Sequence, residues 1–376
     1  MNPESQAQLK EEIAERLADD RRLLDQLREE IRPLRSAVRR IQPRSSTSIS
    51  LVGADGGNNR IQFDPFLVQL VRVVDSSNNE YCLEAITPTT SVAALSQRQF
   101  DEATPMGDLM ELLGCRDLTE LSHMIRRNED GRPTSPSWVQ VYRELMEWAI
   151  LLALVRKRQF GTDTLIVCDG LLRSKVFAGD LFRRYIEAIR QTIEDTYHRD
   201  RRRLYLVGMA KHSKVLSRYR LAMALEGVLR TDYPAFVEIP RDIEEKAYVW
   251  SEYARGNEIE AAGGEINKFV GGKMFFVKFG ASAHDPIWPV DVFAHQADEA
   301  QIVLGHMLSD AINGFPIPFY PRCLQKAHEN AALVDFDFAM LQDHVLDGLR
   351  GLLGSRASTM DELRLQELDP AQTRYG

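Results

Sequence analysis

Cysteine is scarce in this chain. The four in 376 residues, Cys82, Cys115, Cys168 and Cys323, form no CxxC pair. That excludes a zinc ribbon and argues against a disulfide scaffold. No apolar run approaches the roughly 20 residues needed to span a bilayer. The N-terminus has no apolar signal-peptide core. The expectation is a soluble, cytoplasmic protein with no membrane association. Gly263-Gly264 and Gly271-Gly272 lack the Lys-Ser or Lys-Thr ending of a phosphate-binding loop, so no P-loop is present. An excess of positive charge is missing too, because the formal net charge is −8. A protein uniformly coated by nucleic acid is disfavoured, whereas a carboxylate metal site beside a local basic lining is compatible with that charge.

What is present is ordinary globular composition, 44% hydrophobic and 27% charged, in a length that allows one large or two modest domains. Residues 1–43 read as a helical, coiled-coil segment. Leu24, Leu27, Ile31, Leu34, Val38 and Ile41 recur at steps of three and four, with Ile13 and Leu17 upstream; this is a heptad seam for a partner helix, or a stripe packed on its own domain. Pro33 should kink or break the helix. A Ser/Thr/Pro stretch from Pro43 to Ser48 marks a boundary. Residues 44–355 then form the main domain, and residues 356–376 a polar tail.

Within the main domain, Ile49, Leu51 and Val52 form a short strand before Asp55-Gly56-Gly57. Further β-rich runs cover residues 61–63, 67–74 and 81–86. A helix is expected over residues 106–127 and a strong one over 138–156, where Val141, Leu145, Trp148, Leu152 and Val155 share a stripe. Leu165 to Val167 is a buried-type strand ending at Asp169-Gly170. A helix near 177–197, a strand at Leu204 to Val207, strands near 274–279 and 290–293, and three closing helices follow. The order implies an α/β fold with a mixed sheet, an antiparallel meander extended by parallel strands through helical crossovers.

Asp55 and Asp169 each follow an apolar strand and precede a glycine. If the two strands lie side by side and parallel, their C-terminal ends bring both carboxylates to one sheet edge, where open α/β sheets hold ligands. Glu144 and Glu147 share a face of the intervening helix, and either could lean over that edge. Oxygen-only ligation suits Mg²⁺ or Mn²⁺ rather than zinc, and such ions can activate water for phosphodiester cleavage. The alternative is that each Asp-Gly is merely a turn. Lys211, His212 and Lys214 cluster after the strand at 204–207, either as phosphate donors or as a solvated loop. Arg199 to Arg203 reads as a solvated surface and His284-Asp285-Pro286 as a loop.

Several motifs together resemble the NurA nuclease family across most of residues 48–340. They are Ala54-Asp55-Gly56-Gly57, Arg143 to Glu147, Val167-Cys168-Asp169-Gly170-Leu171, Gly208 to Lys211, and Tyr320-Pro321-Arg322-Cys323-Leu324-Gln325-Lys326-Ala327-His328. The resemblance implies an RNase H-like core, Mn²⁺-dependent DNA cleavage, a homodimer, and a HerA-type hexameric ATPase as partner in DNA end processing or phage defence. By position it implies metal-binding acids at Asp55, Glu147 and Asp169, with Glu144 a rival, an accessory catalytic pair at Tyr320 and His328, and a basic residue at Lys211. The family often has Asp-Gly-Ser where this chain has Asp55-Gly56-Gly57 and Asp169-Gly170-Leu171. Two other readings stand beside the nuclease. One is an actin-like or sugar-kinase-type ATPase, whose first phosphate loop Val52 to Gly57 resembles, although the second loop has the wrong spacing. The other is a non-catalytic adaptor of a HerA-like ATPase.

Overall fold

The computed structural model describes residues 2–44, 47–53, 60–63, 66–129, 131–247, 268–332 and 335–356. Helices α1 (Pro3–Asp19), α2 (Arg21–Ile31) and α3 (Leu34–Ala37) lead into strands β1 (Arg39–Arg40), β2 (Thr47–Gly53), β3 (Arg60–Phe63), β4 (Phe66–Asp75) and β5 (Glu80–Ile86). Then come α4 (Val92–Asp101), α5 (Pro105–Leu113), α6 (Leu118–Leu121), α7 (Trp138–Lys157), β6 (Thr164–Asp169), α8 (Leu181–Asp200), β7 (Leu204–Met209), α9 (Lys214–Glu226), β8 (Ala235–Glu238) and α10 (Arg241–Ala247). The chain closes with β9 (Gly272–Lys278), β10 (Ile287–Phe293), α11 (Ala300–Ala311), α12 (Arg322–Ala331) and α13 (Asp335–Leu353).

Among the described residues the strands form one mixed sheet in the order β1-β8-β9-β10-β7-β6-β2-β4-β3, with β5 also pairing β4. β2 pairs β6 in parallel, with Leu51 opposite Cys168. β6 pairs β7 in parallel, with Asp169 opposite Met209. The remaining pairings are antiparallel. Parallel neighbours need helical crossovers, and α7 and α8 supply them. The expected meander with parallel additions is therefore the observed arrangement.

Alternation along β6 divides the core. Ile166 faces α4 to α8, in a layer with Trp138, Leu145, Leu152, Phe182 and Tyr185. Leu165 and Val167 face the other way, toward α11 and α12, in a layer with Val303, Met307, Tyr320 and Leu324. Local signals set several helix ends. Thr104 caps α5 before Pro105 and accepts a hydrogen bond from the Gly107 amide, and Gly114 ends it at φ 73°, the left-handed conformation that glycine adopts without strain. Ser213 caps α9 by accepting from Leu216 N. The helix expected over 106–127 is instead α5 and α6 with irregular chain around them, because that C-terminal glycine interrupts it.

The single N-terminal helix is also corrected. It breaks between Asp19 and Arg21, and again at Arg32-Pro33, where Pro33 was expected to break it, giving three helices, and Ile41 lies beyond them, next to β1. The heptad seam divides accordingly. Ile31, Leu34 and Ile41 are buried in the domain, while Leu9, Ile13 and Leu17 are 43%, 49% and 64% exposed. α2 is further tied to α9 by Arg28 and Arg32, which donate to Glu226 at 2.7 and 2.8 Å, and by Tyr219, whose hydroxyl donates to Glu30 at 2.6 Å. The downstream half of the stripe packs on its own domain because β8, β9 and α9 offer an apolar surface for it.

Asp75, at the end of β4, joins three elements. Its carboxylate accepts from Ser77 N, Asn79 N, Asn79 Nδ2, the Tyr81 hydroxyl and Arg158 at 2.7 to 3.1 Å, and its carbonyl accepts from Asn330 of α12. Burial alone would raise its pKa, but the hydrogen bonds led by Asn79 outweigh that and hold it below the usual value. A depressed carboxylate pKa contributes stability above the unfolded value near 4, and that contribution is lost as pH falls through the folded value. Asp75→Asn is therefore expected to cost about 1–3 kcal/mol at neutral pH. In urea melts across a pH series the gap to wild type should close below pH about 4. A gap that persists unchanged in acid would refute the linkage.

Candidate active site

The C-terminal ends of β2, β6 and β7 meet at one edge of the sheet. A cavity of about 460 Å³ opens there, lined in part by Glu144 and Glu147 of α7, Asp169 at the end of β6, Arg173, and His212 and Lys214 at the start of α9. Asp55 follows β2 in sequence and lies outside the described residues, as do Gly56 and Gly57. Among the described residues no three metal-ligating side chains close on one point.

Asp169 sits one strand step beyond Val167, on the face that carries α12. His328, two turns into α12, places Nε2 3.1 Å from Asp169 Oδ2. The same nitrogen lies 3.1 Å from Lys211 Nζ. One ring nitrogen donates or accepts, never both. Protonated, Nε2 donates to Asp169; unprotonated, it accepts from Lys211. Three residues from three elements thus form a group able to hold or pass a proton.

Tyr320 belongs to the same face but is buried, with its ring edge-on to Trp288 at 5.0 Å. Burial, then the charge of Asp169, pushes its pKa well up. Its hydroxyl has no hydrogen-bond partner among the described residues, a condition that costs about 1–3 kcal/mol when it persists. The loop before it is closed by Gln325, whose amide donates to the carbonyls of Ile317 and Tyr320 and accepts from Ile317 N, all at 2.8 to 2.9 Å.

The two helix acids differ in setting. Glu144 accepts from Ser174 Oγ at 2.7 Å, and burial raises its pKa against that bond. Glu147 lies 3.6 Å from Arg143 one turn away. Burial first, then the charges of Glu147 and Asp169, lift the Cys168 thiol to about 12. Burial and its acidic neighbours thus favour the neutral thiol at Cys168.

Residues 170–174, just past Asp169, are pinned by groups that sequence patterning did not single out. Arg173 donates to both carboxylate oxygens of Asp291 at 2.7 and 2.8 Å and to Glu244 at 2.9 Å. All three side chains are nearly inaccessible. The available signal was Asp291 itself, a charge inside the apolar strand Val290 to Phe293. Gly170 lies at φ 117°, open only to glycine. A Cβ on Gly208 would stand 2.5 Å from the Gly170 carbonyl and 2.7 Å from Leu172 N. Of the other sequence candidates, His284-Asp285-Pro286 is a loop, with Asp285 accepting from Ser282 N at 2.6 Å. Arg199 pairs with Asp200 and Arg203 with Glu299.

No family model matches the chain, and no curated protein does. Two solved structures align over 94% of this chain and 99% of theirs at 12% identity. One is the NurA nuclease from Sulfolobus solfataricus, with a TM-score of 0.40. The other is a crystal structure of NurA, with a TM-score of 0.43.

The close approach at Gly208 is testable. Gly208→Ala forces backbone away from backbone and is expected to cost about 1–3 kcal/mol. Gly348→Ala, in α13 with open space around it, should be neutral or stabilise by up to about 1 kcal/mol. Equal melting midpoints for the two variants would show that the segment after Asp169 is not held as described.

Proposed function

We propose that the chain is a metal-dependent DNA nuclease of the NurA type on an RNase H-like core. One observation carries the reading. A carboxylate at the C-terminal end of a parallel strand, Asp169, has His328 Nε2 at 3.1 Å and lines a cavity together with Glu147. The strand order β5-β4-β2-β6-β7, with β2, β6 and β7 parallel and β4 reversed, supports an RNase H-like core. The Tyr320 to His328 motif supports the NurA type.

Asp55, Glu147 and Asp169 would hold Mn²⁺ or Mg²⁺. The donors that are described are hard oxygens, which fits such ions. The bound cation would neutralise phosphate charge and acidify water. Glu147 suits this better than Glu144, whose carboxyl is buried and engaged by Ser174. His328 would carry a proton to or from the reacting oxygens. Tyr320 would orient the phosphate through its hydroxyl. Lys211, His212 and Lys214 would hold phosphates by charge-assisted bonds. A kinase-like or actin-like ATPase leaves the His328–Asp169 contact without a task, and so does an inert adaptor.

The check is cleavage of linear DNA with Mn²⁺ or Mg²⁺, without ATP. Asp169→Asn and Asp55→Asn should abolish cleavage, and His328→Ala should lower it about 10²- to 10⁴-fold with an unchanged melting temperature. Full activity in Asp169→Asn would sink the reading.

Assembly belongs to the same proposal: a homodimer fed by a HerA-type ATPase ring. The exposed Leu9, Ile13 and Leu17 of α1 are apolar residues left over for a helical partner. Light scattering should return twice the chain mass, and a co-expressed HerA-type ring should co-purify. A monomer at micromolar concentration contradicts the dimer, and a ring lost on washing contradicts the partnership.

A further inference from the structure

The segment that leaves Asp169 continues into a second concavity, and Ser174 joins the two. Its Oγ donates to Glu144 in the first cavity, and its amide donates to the Phe269 carbonyl at 3.0 Å. The next residue, Lys175, lines a separate cavity of about 240 Å³ with His123, Phe177, Gly179, Lys268 and Phe269. Among the described residues no carboxylate is in that lining, although the chain as a whole carries a net charge of −8. Like charges gathered without counter-charge repel one another, so their clustering calls for an anion.

The basic groups come from three separate segments, and contacts fix two of them. Lys268 Nζ lies over the Phe269 ring, 5.3 Å from its centroid. His123 Nδ1 lies 3.2 Å from the Phe177 carbonyl; a carbonyl only accepts, so Nδ1 donates there, and Nε2 can donate to an anion only in the imidazolium form. Arg126 adds a further cation beside it, donating to the His123 carbonyl at 3.3 Å. The floor is stiff, because Phe177 packs against Phe182 and Tyr185 at 5.4 and 5.8 Å between centroids.

We propose that His123, Lys175 and Lys268 form a phosphate subsite for the DNA strand, a few nucleotides along from the phosphate held at Asp169. The proposal rests on the nuclease reading and deepens it. The ligand is a backbone phosphodiester of a bound strand. Free phosphate shares that chemistry, and the test separates the two.

The test uses the full chain without metal, so that no cleavage occurs. Binding of a long fluorescent single strand is measured against salt concentration. Each neutralised phosphate contributes about 0.7 to the slope of log affinity on log salt, so Lys175→Gln/Lys268→Gln, which empties one subsite, should lower it by about 0.7. With metal, hydrolysis of bis(p-nitrophenyl) phosphate, too small to reach the second cavity, should stay at the wild-type rate. Arg199→Gln/Arg202→Gln, at the opposite edge of the sheet, should leave the slope unchanged. An unchanged slope in the lysine pair overturns the subsite, as does an equal fall in the arginine pair. Loss of inorganic phosphate binding with an unchanged strand slope overturns it in favour of free phosphate. A wild-type chain that neither binds the strand nor cleaves the small diester overturns the nuclease reading and the subsite together. A wild type that does both, beside a silent lysine pair, overturns the subsite alone.

Discussion

The parallel pairing of β2, β6 and β7 is the constraint from which the rest follows. Parallel neighbours cannot be joined by tight turns, so α7 and α8 must cross over the sheet. Helices on both faces leave the central strands no solvent side, and residues 165–167 and 204–207 are accordingly apolar and buried. Strands running the same way also end at the same edge. Whatever follows them in sequence is delivered there together, and this is how Asp169 and His212 come to line one cavity with Glu144 and Glu147 of α7.

An edge alone does not hold side chains still. Past β6 the chain is fastened by Arg173 to Asp291 and Glu244, three charges almost wholly removed from water. Desolvating such charges costs several kcal/mol per ion, and only close, multiple hydrogen bonds offset it. The bidentate pairing meets that condition. The network therefore contributes little net stability for its size, but it fixes one geometry. A guanidinium with two carboxylate partners has few alternative arrangements, and Glu144, held through Ser174, inherits that fixity.

Much of this was legible in the sequence. Apolar runs ending in Asp-Gly marked strands that do pair in parallel, and the stripe on residues 138–156 marked α7. The motif from Tyr320 to His328 marked the segment that forms α12 and brings His328 to Asp169. The reasons are local, since periodicity and turn chemistry act over a few residues. The N-terminal stripe misled because a heptad pattern records that a face is apolar and is silent on what covers it. Ile31 and Leu34 found their cover on β8, β9 and α9, two hundred residues away. The Arg173 network was hidden for the same reason, because its partners stand 71 and 118 positions distant. The placement of Asp55 falls outside the described residues.

The loop from Gly314 to Tyr320 shows what such fastening means over evolutionary time. Gln325 closes it with three hydrogen bonds. Gly314 sits so near the Ile317 and Tyr320 carbonyls that no side chain fits there. Surface loops commonly gain and lose residues without harm, because the entropy of a longer closure grows slowly. This one has its length set at both ends, by a glycine that admits no bulk and an amide that spans a fixed gap. An insertion tolerated in the exposed turn between Asn128 and Arg132 would here detach Tyr320 from α12. Homologous chains should accordingly vary in length at the first place and keep it at the second.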